Sequence, residues 1–186
     1  MIGGTPAGSG RHAWVCRAIC CAVLLVPGMG FAQADGAGIA GLIAERLDLM
    51  KDVAAYKYVN DVPVEDLERE AVVIAHTIDQ ARAAGLDGDA MVPFFMAQID
   101  AAKAIQQCWI GRWQSGSETA PTEAPDLAAD IRPRLIEIGD GLIVALAAVK
   151  SRDDIELTPL PEVDCLPAEA RDSLTEQLEN ALGASP

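Results

Sequence analysis

The stretch Ile39-Ala40-Gly41-Leu42-Ile43-Ala44-Glu45-Arg46-Leu47-Asp48-Leu49-Met50-Lys51-Asp52-Val53-Ala54-Ala55-Tyr56-Lys57-Tyr58-Val59 decides the fold. Its apolar residues Leu42, Ile43, Leu47, Met50, Val53 and Ala54 recur at helical spacing without strand-like alternation, which predicts one amphipathic helix over about 39–59. Arg46 and Lys57 interrupt that apolar stripe. They stand eleven residues apart, about 20° from alignment at roughly 3.6 residues per turn. Two cations on a core-facing stripe are costly to bury unless an anion meets them. Without one, their long stems would carry the charges out to solvent.

Outward from that segment the helical pattern continues. Asn60-Asp61-Val62-Pro63 breaks it, because Pro63 has no N–H and biases Val62 away from helical geometry. A second helix is expected from about Val64 to Ala84, with Leu67, Ala71, Ile74, Ile78 and Ala81 as its inward stripe and Gly85 as its stop. Asp87 or Asp89 can cap a third helix reaching about Gln114, with Pro93 tolerable only near its start. Residues 115–125 read as a linker of Ser, Gly, Thr, Ala, Pro and Glu. Leu127 to Val149 predicts a fourth helix, bent or started near Pro133, and a Pro-containing loop leads to a short last helix ending near Leu182. No segment has strand patterning, so the expected fold is all-α, helix packed on helix.

The first 34 residues are expected to stand outside that domain. Arg11 and Arg17 form a basic start, an apolar run follows from Ala18 to Val26, and Ala32-Gln33-Ala34 supplies a small-residue cleavage pattern. That order predicts an export signal cut near Ala34, leaving 35–186 as the domain. The apolar run is far short of the ~20 residues a spanning helix needs. Loss of the two arginines takes the formal charge from −14 to −16. A surface so acidic argues against nucleic-acid binding and against anionic membranes. Cys108 and Cys165 remain in the domain. An oxidising compartment permits a bridge between them, and two buried free thiols are the alternative.

Much chemistry is excluded by residue type. His76 is the one histidine of the expected domain, too few for a His-based triad or a typical zinc site. No strand–glycine loop–helix unit is present to hold phosphates. No metal and no cofactor are expected. What remains is either a binding module or an enzyme whose reaction needs neither nucleophile nor general base.

The basic residues and glutamines suggest the second. Twelve residues after Lys57 stands Arg69, within Val62-Pro63-Val64-Glu65-Asp66-Leu67-Glu68-Arg69-Glu70, and Gln98, Ala102 and Gln106 share a face of the third helix. The spacing Arg46–Lys57–Arg69, followed by Phe94-Phe95-Met96-Ala97-Gln98-Ile99-Asp100-Ala101-Ala102-Lys103-Ala104-Ile105-Gln106, resembles the all-helical chorismate mutases, especially their secreted, periplasmic subclass. The resemblance runs from about Ala40 to Trp113 and is looser beyond.

This resemblance implies a helical bundle of three core helices, over about 40–114, with a C-terminal helical extension over 126–182. It implies rearrangement of chorismate to prephenate, breaking one C–O bond and forming one C–C bond within one molecule. Such a reaction needs only a held conformer and stabilisation of charge growing on the ether oxygen. By similarity Arg46 and Arg69 bind carboxylates, Lys57 reaches a carboxylate and the ether oxygen, and Gln106 donates to that oxygen. Glu70 accepts the ring hydroxyl, helped by backbone near Asp66. Arg132, with Arg134 in reserve, completes the pocket. Ala102 stands where family members often carry Ser or Thr, a departure that removes one hydrogen bond to substrate. A homodimer with a complete pocket in each chain is also implied. The competing reading is a non-catalytic periplasmic helical module that binds a small anion or a protein partner. It expects Arg46, Lys57, Arg69 and Gln106 to be scattered in space.

Overall fold

The computed structural model describes residues 36–149 and 155–184, and every regular element among them is helical. The expected export signal and its cleavage point lie outside the described residues. In chain order the helices are α1 (Gly36–Asp48), α2 (Met50–Val59), α3 (Leu67–Ala83), α4 (Gly88–Ser115), α5 (Arg132–Ala147) and α6 (Ala168–Gly183). A π-helical turn, Leu127–Ile131, precedes α5.

Helix α4 is the central rod, with α1, α2, α3 and α6 packed around it. Helix α5 closes the bundle against α1 and α3. The core is continuous, running through Ile39, Ile43 and Leu47 of α1, Phe94, Ala101 and Ile105 of α4, Leu142 and Leu146 of α5, and Leu174 and Leu178 of α6. Burial of each such Leu, Ile or Phe contributes about 1.5–3 kcal/mol.

Helix boundaries follow local chemistry. Asp66 caps α3 by accepting from the Arg69 N–H at 3.0 Å, and Asp87 caps α4 through the N–H groups of Asp89 and Ala90. Asp126 does the same for the π-turn through Ala128 and Ala129. Each occupies donors that a helix start leaves unpaired. At the other ends, Gly85 and Gly116 take φ of 85° and 73°, which glycine adopts without steric cost. Pro133 lies in the first turn of α5, where the Arg132 N–H still reaches back to the Leu127 carbonyl. The expected change of course near Pro133 is therefore a passage from π-turn to α-helix.

Four expectations need correction. The first helix is interrupted at Leu49, whose N–H reaches Glu45 O only at 3.4 Å and whose ψ of −14° departs from helical geometry. The second begins at Leu67, not Val64, because Asp66 is the cap and the Val64 carbonyl is turned to the Lys57 ammonium at 2.6 Å. Of its expected inward stripe, Ala81 is buried and Ile74 packs half-buried against the core, but the first two members are not turned in. Leu67 is 66% exposed and Ala71 is exposed, whereas Thr77 and Ala81 are the buried positions. Helix α3 stands at the edge of the bundle, and the face it turns inward lines a cavity. The last helix, at 16 residues, is not short.

Cys108 of α4 and Cys165, just ahead of α6, form a disulfide with Cα atoms 5.8 Å apart. Of the two alternatives open in the sequence, the bridge is the one present. It fastens the C-terminal helix to the central one.

Candidate active site

Helices α1 to α5 enclose a cavity of about 230 Å³. Its apolar wall includes Met50, Val53, Phe95, Ile99, Leu135 and Ile143. Arg46, Lys57, Arg69, Lys103 and Arg132 supply cations, against the acids Asp66, Glu70 and Asp140. In a chain of formal charge −14, this cationic excess is the reverse of the overall balance.

Arg46 comes from the last turn of α1 and is 7% exposed. Its Nη1 donates to Leu135 O at 3.4 Å, while its Nε is buried without a partner. Burial, followed by the neighbouring Arg69 charge, lowers its pKa from the ordinary arginine range to about 10. Lys57 comes from the last turn of α2 and is equally buried. Burial pushes its ammonium below the ordinary lysine range. Asp66 and Glu70 partly oppose that effect, and Arg132 adds to it. Neither cation is in a salt bridge with a carboxylate among the described residues, and the same holds for Arg69. Buried positive charge without an internal counter-ion is expensive. A bound anion relieves that cost.

The two acids closest to this group are already engaged. Asp66 is occupied by its capping bond and has Arg132 Nη2 at 3.9 Å. Glu70 Oε2 accepts from Lys103 Nζ at 3.2 Å. Neither forms an ion pair with Arg46 or Arg69. Gln106, 5% exposed on α4, donates from Nε2 to the Ala102 carbonyl at 3.0 Å, which fixes which end of the amide faces that carbonyl. The same nitrogen lies 3.6 Å from Met50 Sδ, and the buried Oε1 has no partner.

All eight positions picked out by the resemblance line this one cavity: Arg46, Lys57, Asp66, Arg69, Glu70, Ala102, Gln106 and Arg132. Scattering of Arg46, Lys57, Arg69 and Gln106, which the binding-module reading expects, is not observed. Arg134 does not line the cavity and instead pairs at the surface with Glu45 and Glu137. Gln98 shares the Gln106 face in sequence but is absent from the wall. It is fully buried, with both amide atoms unpartnered.

Lys103, His76, Thr77 and Asp140 also line the cavity and were not singled out as site residues from sequence. Lys103 was signalled only by its place between Ala102 and Gln106. His76 and Asp140 meet at 2.8 Å between α3 and α5, a pairing across 64 residues that no local pattern announces.

Residues 37–107 match the family described as chorismate mutase type II. The chain is 41% identical over 108 residues to a secreted chorismate mutase of Yersinia pestis, covering 58% of this chain and 57% of that protein. It is 33% identical over 127 residues to a secreted chorismate mutase of Mycobacterium tuberculosis, covering 64% of each. The matched stretch thus spans less than two thirds of either curated relative. In three dimensions the chain is similar to the crystal structure of the secreted Yersinia pestis chorismate mutase, with a TM-score of 0.69 and 31% identity over 77% of this chain and 95% of that one. Shared sequence, shared helical bundle and a cation-lined cavity at its centre lead to one assignment: this chain belongs to the all-helical chorismate mutase family.

Proposed function

We propose that the protein catalyses the rearrangement of chorismate to prephenate in the cavity between α1 and α5. The observation that carries this reading is the convergence of Arg46, Lys57, Arg69 and Arg132, with the amide of Gln106, on a single apolar-walled cavity. Chorismate is a dianion with a ring hydroxyl and an ether bridge. Arg46, Arg69 and Arg132 suit its carboxylates, since the planar guanidinium fork matches carboxylate geometry. Lys57 serves a carboxylate and the ether oxygen. Gln106 donates its second amide hydrogen to that oxygen, and Glu70 accepts the ring hydroxyl, with Asp66 holding the start of α3. Ala102 contributes only its methyl group and its carbonyl, which orients Gln106.

Rate enhancement then has two sources. Fixing the folded conformer removes the entropy of reaching it. Donors already in place where negative charge develops need no reorganisation during the reaction. No side chain has to transfer a proton. Loss of chorismate absorbance on adding the protein tests the reading, with Lys57→Ala as control: the natural protein consumes chorismate and the variant is slower by about 10²–10³. Absence of turnover by the natural protein refutes it.

We further propose that the protein works outside the cytoplasm, delivered by residues 1–34. Support comes from the basic–apolar–small order of that segment, the disulfide, and relatives named as secreted. No helix among the described residues is long and apolar enough to cross a membrane. The assembly proposed is a homodimer in which each chain holds its own complete pocket.

A further inference from the structure

Lys103 is the cavity cation with no role in the scheme above. It stands on α4 beside Ala102 and three residues before Gln106. Its ammonium is shared between Glu70 Oε2 at 3.2 Å and Asp100 Oδ1 at 3.3 Å. The two acids differ in setting. The Asp100 side chain is 66% exposed, so water solvates it, whereas that of Glu70 is 17% exposed and lines the cavity. Hydrogen bonds to both carboxylates hold the Lys103 pKa above its usual value against the opposing effect of burial. The ion pair also ties α3 to α4 across 33 residues of sequence.

Glu70 has other places to go. It acts on the Lys57 charge, and Arg69 is its neighbour in the chain. A glutamate released from Lys103 and swung towards either cation would neutralise a group meant for a substrate carboxylate. It would also vacate the position from which it accepts a hydroxyl.

We propose that Lys103 is a positioning residue that anchors Glu70 to the α4 wall, keeping its carboxylate off the substrate-binding cations and aimed at the substrate's ring hydroxyl. This rests on the chorismate reading. Lys103 acts through Glu70 and touches no reacting atom. Its contribution is to binding and orientation of the hydroxyl end, not to the developing charge on the ether oxygen.

The experiment is steady-state kinetics on chorismate with the natural protein, Lys103→Met, Lys103→Gln, Lys103→Arg, Glu70→Gln and Lys103→Met combined with Glu70→Gln. Each variant is checked by helical CD. Lys103→Met and Lys103→Gln should raise KM about tenfold while kcat changes much less, a coupling of the size found between groups in contact. Lys103→Arg should restore most of the loss, because a cation is again present. In the Glu70→Gln background, removing Lys103 should change kcat/KM by less than about twofold. An equal loss in both backgrounds overturns the proposal, since Lys103 would then act on substrate directly. So does loss in kcat alone, no loss at all, or unfolding of all three Lys103 variants, which would make the ion pair structural. Absence of turnover by the natural protein refutes the chorismate reading itself and takes this proposal with it. Turnover with additive losses refutes only the proposal.

Discussion

Arg132 and Arg134 stand two residues apart at the start of α5, and their guanidinium groups serve opposite sides of the helix. Arg132 lines the cavity with Asp66 at 3.9 Å, while Arg134 reaches outward to Glu45 and Glu137. The sequence left the choice open because the resemblance loosens after the linker. A two-residue slip on a helix turns a side chain through about 200°.

This relationship predicts unequal mutants. Arg132→Ala should lower kcat/KM by about 10²–10³, the cost of one preorganised donor. Arg134→Ala removes solvent-exposed ion pairs, which contribute little, and should leave activity within a few-fold of the natural level. Steady-state kinetics on the two variants checks both. The reverse order would mean that Arg134 supplies the pocket cation.

Most of the site was legible because its residues lie on elements whose period the sequence displays. Arg46 and Lys57 stood out as cations on an apolar stripe, and Arg69 and Gln106 followed at the spacings that carried the resemblance. The break at Leu49 carries no proline or glycine to announce it, so two segments read as one helix. The inward face of the first part of α3 was misread for a different reason. A helix that turns Arg69, Glu70, His76 and Thr77 into a cavity buries fewer apolar side chains, so its hydrophobic stripe is a poor guide to which way it faces. Lys103 and the His76–Asp140 pair depend on how α3, α4 and α5 are set against one another. Periodicity along one chain segment does not encode that.

The buried charge of Lys57 predicts opposition between stability and activity. Burial lowers its folded pKa below the usual 10.5, so between the two values the unfolded chain binds more protons than the folded one. Stability from this group therefore rises with pH across that window, and below it the charged lysine opposes folding by a constant amount. Ligand-free Lys57→Met should be at least as stable as the natural protein at neutral pH. Its advantage should shrink as pH rises towards the unfolded lysine value. Urea midpoints at neutral and alkaline pH check this, and a Lys57→Met protein markedly less stable at neutral pH would contradict it.

The disulfide closes a sequence separation of 57 residues and pins the α6 approach to α4. Cys108→Ser with Cys165→Ser should cost about 2–4 kcal/mol of stability, mainly by freeing the unfolded chain. The cavity is walled by α1 to α5, so kcat/KM of the folded variant should change by less than about threefold. Denaturant unfolding with and without reductant, beside the activity assay, separates the two effects.

Export is tested by fusing residues 1–34 to a reporter. Processed reporter outside the cytoplasm is expected, as the order of basic, apolar and small residues directs. Uncleaved reporter retained in the cytosol would contradict it.

The pH dependence of kcat/KM for chorismate, with the natural protein, Gln106→Glu and Gln106→Ala, tests most directly whether this cavity catalyses by donating to the ether oxygen. An amide donates at every pH, whereas a carboxyl donates only while protonated. Once ionised, it sets a negative charge where the transition state is already gaining one. The natural protein should hold its activity through the neutral range. Gln106→Glu should fall as pH rises through its carboxyl pKa and recover towards acid, and Gln106→Ala should be poor throughout without that recovery. A Gln106→Glu profile parallel to the natural one would contradict the role of Gln106. No chorismate turnover by the natural protein would contradict the whole account.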